Sequence, residues 1–445
     1  MVDCAGRLPG VPEVVSWVPF SWRLGSGYGD FLRRAAWFDT LPVAEKKAWI
    51  FDKMKRLVQH AEAHVPFYQA HYLKARFSSR ELSGYDDLSK IPIVTKADMQ
   101  QATMEARTAP GGRVITANTG GTSGQPLAFQ LERSLMAKET AYIHHLWRRR
   151  GYAEGRLKLR FRGAILSEQA FRYHAVENEF LVNTYASYDR IGGQVERLFL
   201  NHRIGYLHGY PSAIYAFACH CRDHFSARTR DRIRQNLRGV LLGSEYPAPQ
   251  YRQVIDEVFG PVSLSWYGHS EMAVLAGERD RAGEYEPFQS YGHIEAVTGG
   301  SSDSQRLVGT NLDGFACPFI RYDTGDLVKI VAQDEGLLLK FAVAEGRVGD
   351  FVLDANGHPV SLTALIFGRH HGVFAQLAHL QVAQEKPGEV LLIASMPKDT
   401  AMAAEQFWQG FDATGVDIRF NVRFVPTPYR TPAGKVPLKV PFTNV

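Results

Sequence analysis

Cysteine is scarce in this chain: Cys4, Cys219, Cys221 and Cys317 are all there is in 445 residues. That density excludes a disulfide framework. Cys219-His220-Cys221 looks like half a zinc site. Zinc pairs, however, sit two to four residues apart with a second pair downstream, and no second pair exists, so the thiols read as core or surface groups. Long apolar runs are missing too. No stretch of about 18 apolar residues occurs, so no transmembrane segment is expected; residues 11–20 come nearest, and Pro12, Glu13 and Pro19 interrupt them. A basic leader with a small-residue cleavage site is not evident, which makes the cytoplasm the default setting. Long runs of one charge are also absent. Arg148-Arg149-Arg150 is the densest cluster, too short for a nucleic-acid tail, so no nucleic-acid partner is expected. A net charge of +5 and a pI near 8.9 support no more than a weak preference for anionic small molecules.

What is present is a globular composition, 45% hydrophobic and 22% charged, at a length that suits two or three domains. One stretch stands out, TANTGGTSGQP at residues 116–126. Gly120, Gly121 and Gly124 alternate with Thr119, Thr122 and Ser123. Glycines let successive backbone N–H groups turn toward one point, and hydroxyls add donors, which is the composition of a phosphate cradle. It is not a Walker loop, because Gln125 and Pro126 stand where Lys-Ser/Thr would.

Periodicity supplies the frame. Ile50, Met54, Leu57, Val58, Ala61 and Val65 predict an amphipathic helix over residues 43–65 that stops at Pro66. Thr95 and Asp98 form a capping box for a helix leading toward the glycine-rich loop. A helix over 131–150 and an arginine-studded strand over 157–166 follow. Residues 207–212 read as a turn that opens a helix to about Cys221. Strands at 240–242 and 262–266 end in Gly243-Ser244-Glu245 and Tyr267-Gly268-His269, with helical spacing over 250–259 between them. That is a βαβ unit, and ligands in such sheets lie at the carboxyl ends of strands, so both turns should face one crevice. Strands follow near 294–297, 307–311 and 327–331. Past the Gly- and charge-rich residues 344–350 the composition resets, with a short helix at 361–367, strands at 377–384 and 389–395, a helix at 400–410 and a strand at 417–425. The expectation is an α/β protein: a large N-terminal domain, residues 1–349, of mixed β-sheets flanked by helices, and a small α+β C-terminal domain, residues 350–445.

Several short motifs then fall in a telling order. Tyr267-Gly268-His269-Ser270-Glu271 is followed by Arg321-Tyr322 with Thr324-Gly325-Asp326, by Gly346-Arg347, and by Arg430-Thr431-Pro432-Ala433-Gly434-Lys435. In order and spacing these resemble the adenylate-forming (AMP-binding) ligase superfamily. The likeness is greatest to the phenylacetate–CoA ligase branch and its capsular-polysaccharide-biosynthesis relatives. His60-Ala61 with Val65-Pro66-Phe67-Tyr68, Gly209-Tyr210-Pro211-Ser212 and Ile320-Arg321-Tyr322 look like that branch's signatures. The resemblance covers about residues 40–440.

It implies an enzyme that joins a small-molecule carboxylic acid to AMP and then to CoA, using ATP and Mg²⁺. The alternatives are an amine acceptor, giving an amide, and a non-catalytic nucleotide-binding relative. Residues 119–124 would hold the β- and γ-phosphates, with Gln125 where the family usually has lysine. Gly243, Ser244 and Glu245 would lie along adenine, and Tyr267, followed by Gly268, would stack on the purine. Glu271 would hold Mg²⁺, which prefers hard oxygen ligands. Asp326 would accept from the ribose hydroxyls, Arg347 would contact ribose or phosphate, and Asp350 would sit at the hinge of a mobile C-terminal domain. Lys435, with Arg430 nearby, would offset the charge that builds on the α-phosphate. The branch suggests a homodimer. His144, His145, His208 and His269, Arg160 and Arg162, and the aromatics of residues 142–147 are candidates to line the acid pocket.

Overall fold

The periodic apolar residues of the N-terminal region become two consecutive helices, Tyr28–Asp39 (α1) and Val43–His64 (α2), the second burying Ile50, Met54, Leu57, Val58 and Ala61. The structure, a computed structural model, describes residues 18–445 except 113, 119–126, 163–165, 167, 168, 185, 245, 246, 248, 299–304, 344–350, 363, 364, 367, 368, 370, 378, 397–399 and 430–437. Helix α2 stops at His64, just ahead of Pro66 as expected, Val65 is extended, and the chain becomes helical again at that proline. It is the first residue of a third helix, Pro66–Ala75 (α3), where its missing N–H would have had no intrahelical partner. Thr95 caps Lys96–Gln101 (α4), and Asp98 Oδ2 accepts in return from Thr95 N at 2.8 Å.

Strands β1, Val114–Asn118, and β2, Ala128–Glu132, pair antiparallel on either side of residues 119–126. Leu131 therefore belongs to a strand, and the expected helix begins later, at Arg133–Trp147 (α5). The arginine cluster that follows is engaged within the fold. Arg148 pairs with Glu154 at 2.6 Å, while Arg149 and Arg150 donate to the carbonyls of Glu278 and Ser263.

Twelve strands form one continuous sheet. They are β3 Lys158–Phe161, β4 Phe171–His174, β5 Glu179–Val182, β6 Tyr206–Gly209, β7 Gly239–Leu242, β8 Ser263–Gly268, β9 Leu275–Glu278, β10 Glu284–Pro287, β11 Gly292–Val297, β12 Gln305–Asn311, β13 Tyr322–Asp334 and β14 Leu337–Val343. Their spatial order is β11-β12-β13-β14-β10-β9-β8-β7-β6-β3-β5-β4. The run β5-β3-β6-β7-β8 is parallel, with β4 antiparallel at its edge. From β8 to β11 every pairing is antiparallel. Strand β8 joins the two halves: Ser263–Ser265 pair with β7, and Trp266–Gly268 pair with β9.

Crossover helices cover the parallel half, among them Tyr188–Asn201 (α6), Pro211–His224 (α7) and Pro249–Phe259 (α8). The last lies between β7 and β8, as the βαβ reading required. Residues 207–209, expected as a turn, are the end of strand β6. Gly209 is needed there because a β-carbon would meet the carbonyl oxygen of Phe161 at 2.2 Å. The antiparallel half curls back on itself around Val274, Tyr285, Ile294, Leu307, Val328 and Phe341. Gly292 and Gly309 permit that closure, since β-carbons there would meet Ala273 O at 2.2 Å and Val274 Cγ2 at 2.5 Å.

The C-terminal α+β region has its own core, drawn from residues 352–438 alone. It contains a hairpin, β15 Phe351–Leu353 and β16 Pro359–Ser361, and a sheet in the order β17 His379–Ala383, β18 Glu389–Ser395, β19 Arg419–Val425, with helix Ala404–Gly410 (α9). Much of the helix expected over 361–367 lies outside the described residues. No helix among the described residues is long and apolar enough to cross a membrane.

Candidate active site

Four parallel strands deliver their carboxyl ends to one edge, the position where open α/β sheets bind ligands. Strand β3 leads to Arg162, β6 to Gly209-Tyr210, β7 to Gly243-Ser244 and β8 to Tyr267-Gly268. Gly243 lets the chain turn away directly over Trp266, because a β-carbon would lie 2.2 Å from that indole. Ser244 follows in a left-handed conformation, φ +68°, and its Oγ accepts from Arg162 Nη2 at 2.9 Å. The Arg162 guanidinium lies over the Tyr210 ring at 5.5 Å.

The far side of β8 carries the acidic groups. Tyr267 OH donates to Asp326 Oδ2 at 2.5 Å, across 59 residues of sequence. Asp326 lies inside β13 rather than in the free turn that Thr-Gly-Asp chemistry suggests. Gly325 there has φ +76°, and the pairing of β12 with β13 shifts register at this point. Thr324 Oγ1 accepts from Asp326 N and donates to Leu307 O.

Four residues earlier on the same strand, Tyr322 OH donates to Glu271 Oε1 at 3.2 Å. Glu271 is buried, and its other oxygen lies 3.3 Å from His269 Nδ1, an ion-pair distance without hydrogen-bond alignment. Burial would lower the pKa of His269 and raise that of Glu271. Their mutual attraction outweighs it, so His269 is raised above its usual 6.5 and Glu271 lowered below its usual 4.5. Asp326 and Glu139 add to the field that holds the proton on His269.

Three non-glycine residues in left-handed backbone stand at this edge: Ser244, Met272 (φ +54°) beside Glu271, and Arg321 (φ +44°) beside Tyr322. Each costs about 1–3 kcal/mol and persists where surrounding contacts over-determine it. For Arg321 those contacts are explicit. Its guanidinium pairs with Glu295 at 3.0 Å and donates to the carbonyls of Ser89 and Ile91. The N-terminal helices brace the same segment. Tyr68 OH donates to Pro318 O at 2.9 Å and accepts from Ile320 N at 3.0 Å, and the His60 ring meets Phe315 O at 3.0 Å.

Gly243, Ser244, Tyr267, Gly268, Glu271 and Asp326 are thus brought to one edge. Thr119, Gly120, Gly121, Thr122, Ser123, Gly124, Glu245, Arg347, Asp350, Arg430 and Lys435 lie outside the described residues. Several pocket candidates belong to the packing instead. His144 is bonded to Tyr28 OH at 2.9 Å, and burial pushes its pKa down to about 3. His145 pairs with Asp39, Arg160 with Glu179, and Tyr142 donates to Ser290. His208 stays beside the crevice on β6, buried, with neither ring nitrogen bonded. Glu139, on α5, was not singled out in the sequence. It accepts from Tyr291 OH and lies in the field of both His269 and Arg162. A carboxylate on an otherwise apolar helix face is the only signal that would have found it.

No family model matches the sequence, and no curated protein matches it. Solved structures do. The chain is similar to 2-hydroxyisobutyryl-CoA ligase in complex with 2-HIB-AMP and CoA in the thioesterification state, at 17% identity over 91% of each chain, with a TM-score of 0.59. The open conformation of that protein, in complex with the same two ligands, matches at 17% identity over 90% of this chain and 92% of that one, with a TM-score of 0.55. The chain has the 2-hydroxyisobutyryl-CoA ligase fold. Coverage of this extent includes both the twelve-stranded sheet and the C-terminal α+β region, so the likeness to the CoA-ligase fold is not confined to one layer.

Proposed function

We propose that this protein is an ATP-dependent carboxylate-activating ligase of the adenylate-forming superfamily, nearest in its motifs to the phenylacetate–CoA ligase branch. One observation carries the reading: Glu271, buried beside His269, and Asp326, bonded to Tyr267, stand at the carboxyl edge of the sheet in a CoA-ligase fold. Asp326, fixed by Tyr267, suits the ribose hydroxyls, because a carboxylate offers only acceptors and a diol only needs to donate. Glu271 suits Mg²⁺, which takes one or two carboxylates with phosphates and waters, and its depressed pKa keeps it in the ligating form. Bound there, the ion would offset charge on the phosphates.

In this reading the substrate carboxylate, ionised at neutral pH, attacks the α-phosphorus of ATP and pyrophosphate leaves. The loop at residues 119–126 steadies the departing phosphates without a lysine at position 125. Residues 350–445 act as a second domain that brings Lys435 and Arg430 to the α-phosphate, then rotates. The CoA thiol next displaces AMP to give the thioester. Arg162 and His208, at the same edge, would meet the acyl group. The branch likeness also argues for a homodimer.

Acid-dependent ATP–pyrophosphate exchange tests the proposal. Some acid in a broad panel should support exchange, with AMP accumulating once CoA is added. Nucleotide binding without exchange for any acid would leave only a non-catalytic binder. Exchange with AMP release to amines but not to CoA would move the acceptor to the amide-forming class.

A further inference from the structure

Away from that edge, the two helices that cover the parallel half meet in a cluster the proposed ligase has no use for. Asp189 stands in the first turn of α6; His220 and His224 stand one turn apart at the end of α7. Ligand atoms of all three lie within 4.8 Å of one another. The two imidazoles stack at 4.6 Å with an interplanar angle of 28°, and Tyr188 stacks with His220 at 5.5 Å. From this geometry we infer that Asp189, His220 and His224 form a binding site for a divalent late transition metal, zinc above all, that ties α6 to α7.

Four features support the assignment. Two histidines four residues apart on one helix present both imidazoles to a single point, and a carboxylate completes an N₂O donor set suited to Zn²⁺ or its neighbours. In a tetrahedral site with bonds of about 2.0–2.2 Å, ligand atoms lie about 3.3–3.6 Å apart, so closure from separations of up to 4.8 Å needs a shift of about 1.5 Å at most. Asp189 and His224 are exposed and His220 half-buried, so side-chain rotation suffices. The neighbouring charge is favourable: Asp189, Asp223 and Glu196 all act on His220 as negative groups.

The fourth feature is Gly192, in the interior of α6, where glycine costs about 0.8–1.0 kcal/mol relative to alanine. A β-carbon at that position would lie 2.1 Å from His220 Nε2. The glycine leaves room for the imidazole between the helices. The adjacent thiols are not the ligands. Cys221 is fully buried in the apolar core, and neither Cys219 nor Cys221 joins the group of converging ligand atoms. The Cys-His-Cys tripeptide therefore conceals the set, which is His220-x-x-x-His224 with a carboxylate 31 residues upstream.

The test uses the full-length protein freed of metal with a chelator. Isothermal titration with Zn²⁺ should show one site, and His224→Gln and Asp189→Asn should each weaken it by about 10- to 100-fold or more. Cys219→Ser should leave it unchanged. Co²⁺ in the same site should show d–d bands without a thiolate charge-transfer band. Zn²⁺ should raise the thermal midpoint of the parent but not of His224→Gln, whose circular dichroism should match the parent. Absence of a site in the parent, undiminished binding by His224→Gln, or a thiolate band with Co²⁺ would each overturn the inference.

Discussion

His269 stands where Glu271, Asp326 and Glu139 converge, and its charge governs what Glu271 can do. Its raised pKa means that its contribution to stability is complete below about pH 6.5 and is lost as pH rises through the raised value. Glu271, with a lowered pKa, contributes above about pH 4.5 and loses that contribution as pH falls through the lowered value. The stability difference between the parent and His269→Gln should therefore shrink as pH rises above about 6.5, measured by chemical denaturation. Pyrophosphate exchange should rise over the same window, because a neutral ring no longer competes for Glu271, and the rise should flatten in His269→Gln. Glu271→Gln should lower exchange about 100- to 1000-fold, as for other groups that stabilise developing charge. Asp326→Ala should instead raise the KM for ATP, by about 10- to 150-fold for the roughly 1.5–3 kcal/mol of a hydrogen bond to a charged group.

Among the elements, the segment that leads into β13 depends on helices far away in sequence. Tyr68→Phe would leave both Pro318 O and Ile320 N without the hydroxyl that serves them. A loss of about 1–3 kcal/mol is expected on equilibrium unfolding, together with slower exchange, because Arg321 and Tyr322 follow directly. Gly243→Ala would drive a methyl group into Trp266 and should cost about 1–3 kcal/mol. The helix α2 and the βαβ unit were legible in the sequence because periodicity is local. The stop at Pro66 was legible too, since the residue before a proline is driven out of helical backbone, but a proline gives no local sign that a new helix begins with it. Leu131 was misread because its apolar spacing fits a strand end and a helix start alike.

Across the whole molecule, the acidic motifs could be read in order, but not their geometry. Tyr267 meets Asp326 only because the antiparallel half curls back through Gly292 and Gly309, and no local pattern encodes that closure. The same limit hid Glu139, which joins the site through Tyr291, and the His220–His224 pair, which needs Asp189 from another helix. The C-terminal role assigned to Lys435 belongs at this scale as well. Lys435→Ala should lower adenylation by about 100- to 1000-fold while leaving thioester formation from a supplied acyl-adenylate largely intact. Stopped-flow assays of the two half-reactions would separate them, and equal loss in both would remove the lysine from its assigned place.

Strand β8 serves both halves of the sheet at once, its first half answering to β7 and its second to β9. That arrangement makes the protein a candidate for modular redesign. In the proposed reading, the loops after β3 and β6 can be exchanged to accept a different acid, while the nucleotide side, carried by the turn after β7 and by β8 and β13, keeps its sequence. Trp266 marks the seam: substitutions in the loops after β3 and β6 should alter which acid is used, and substitutions at Tyr267, Glu271 or Asp326 whether any acid is activated.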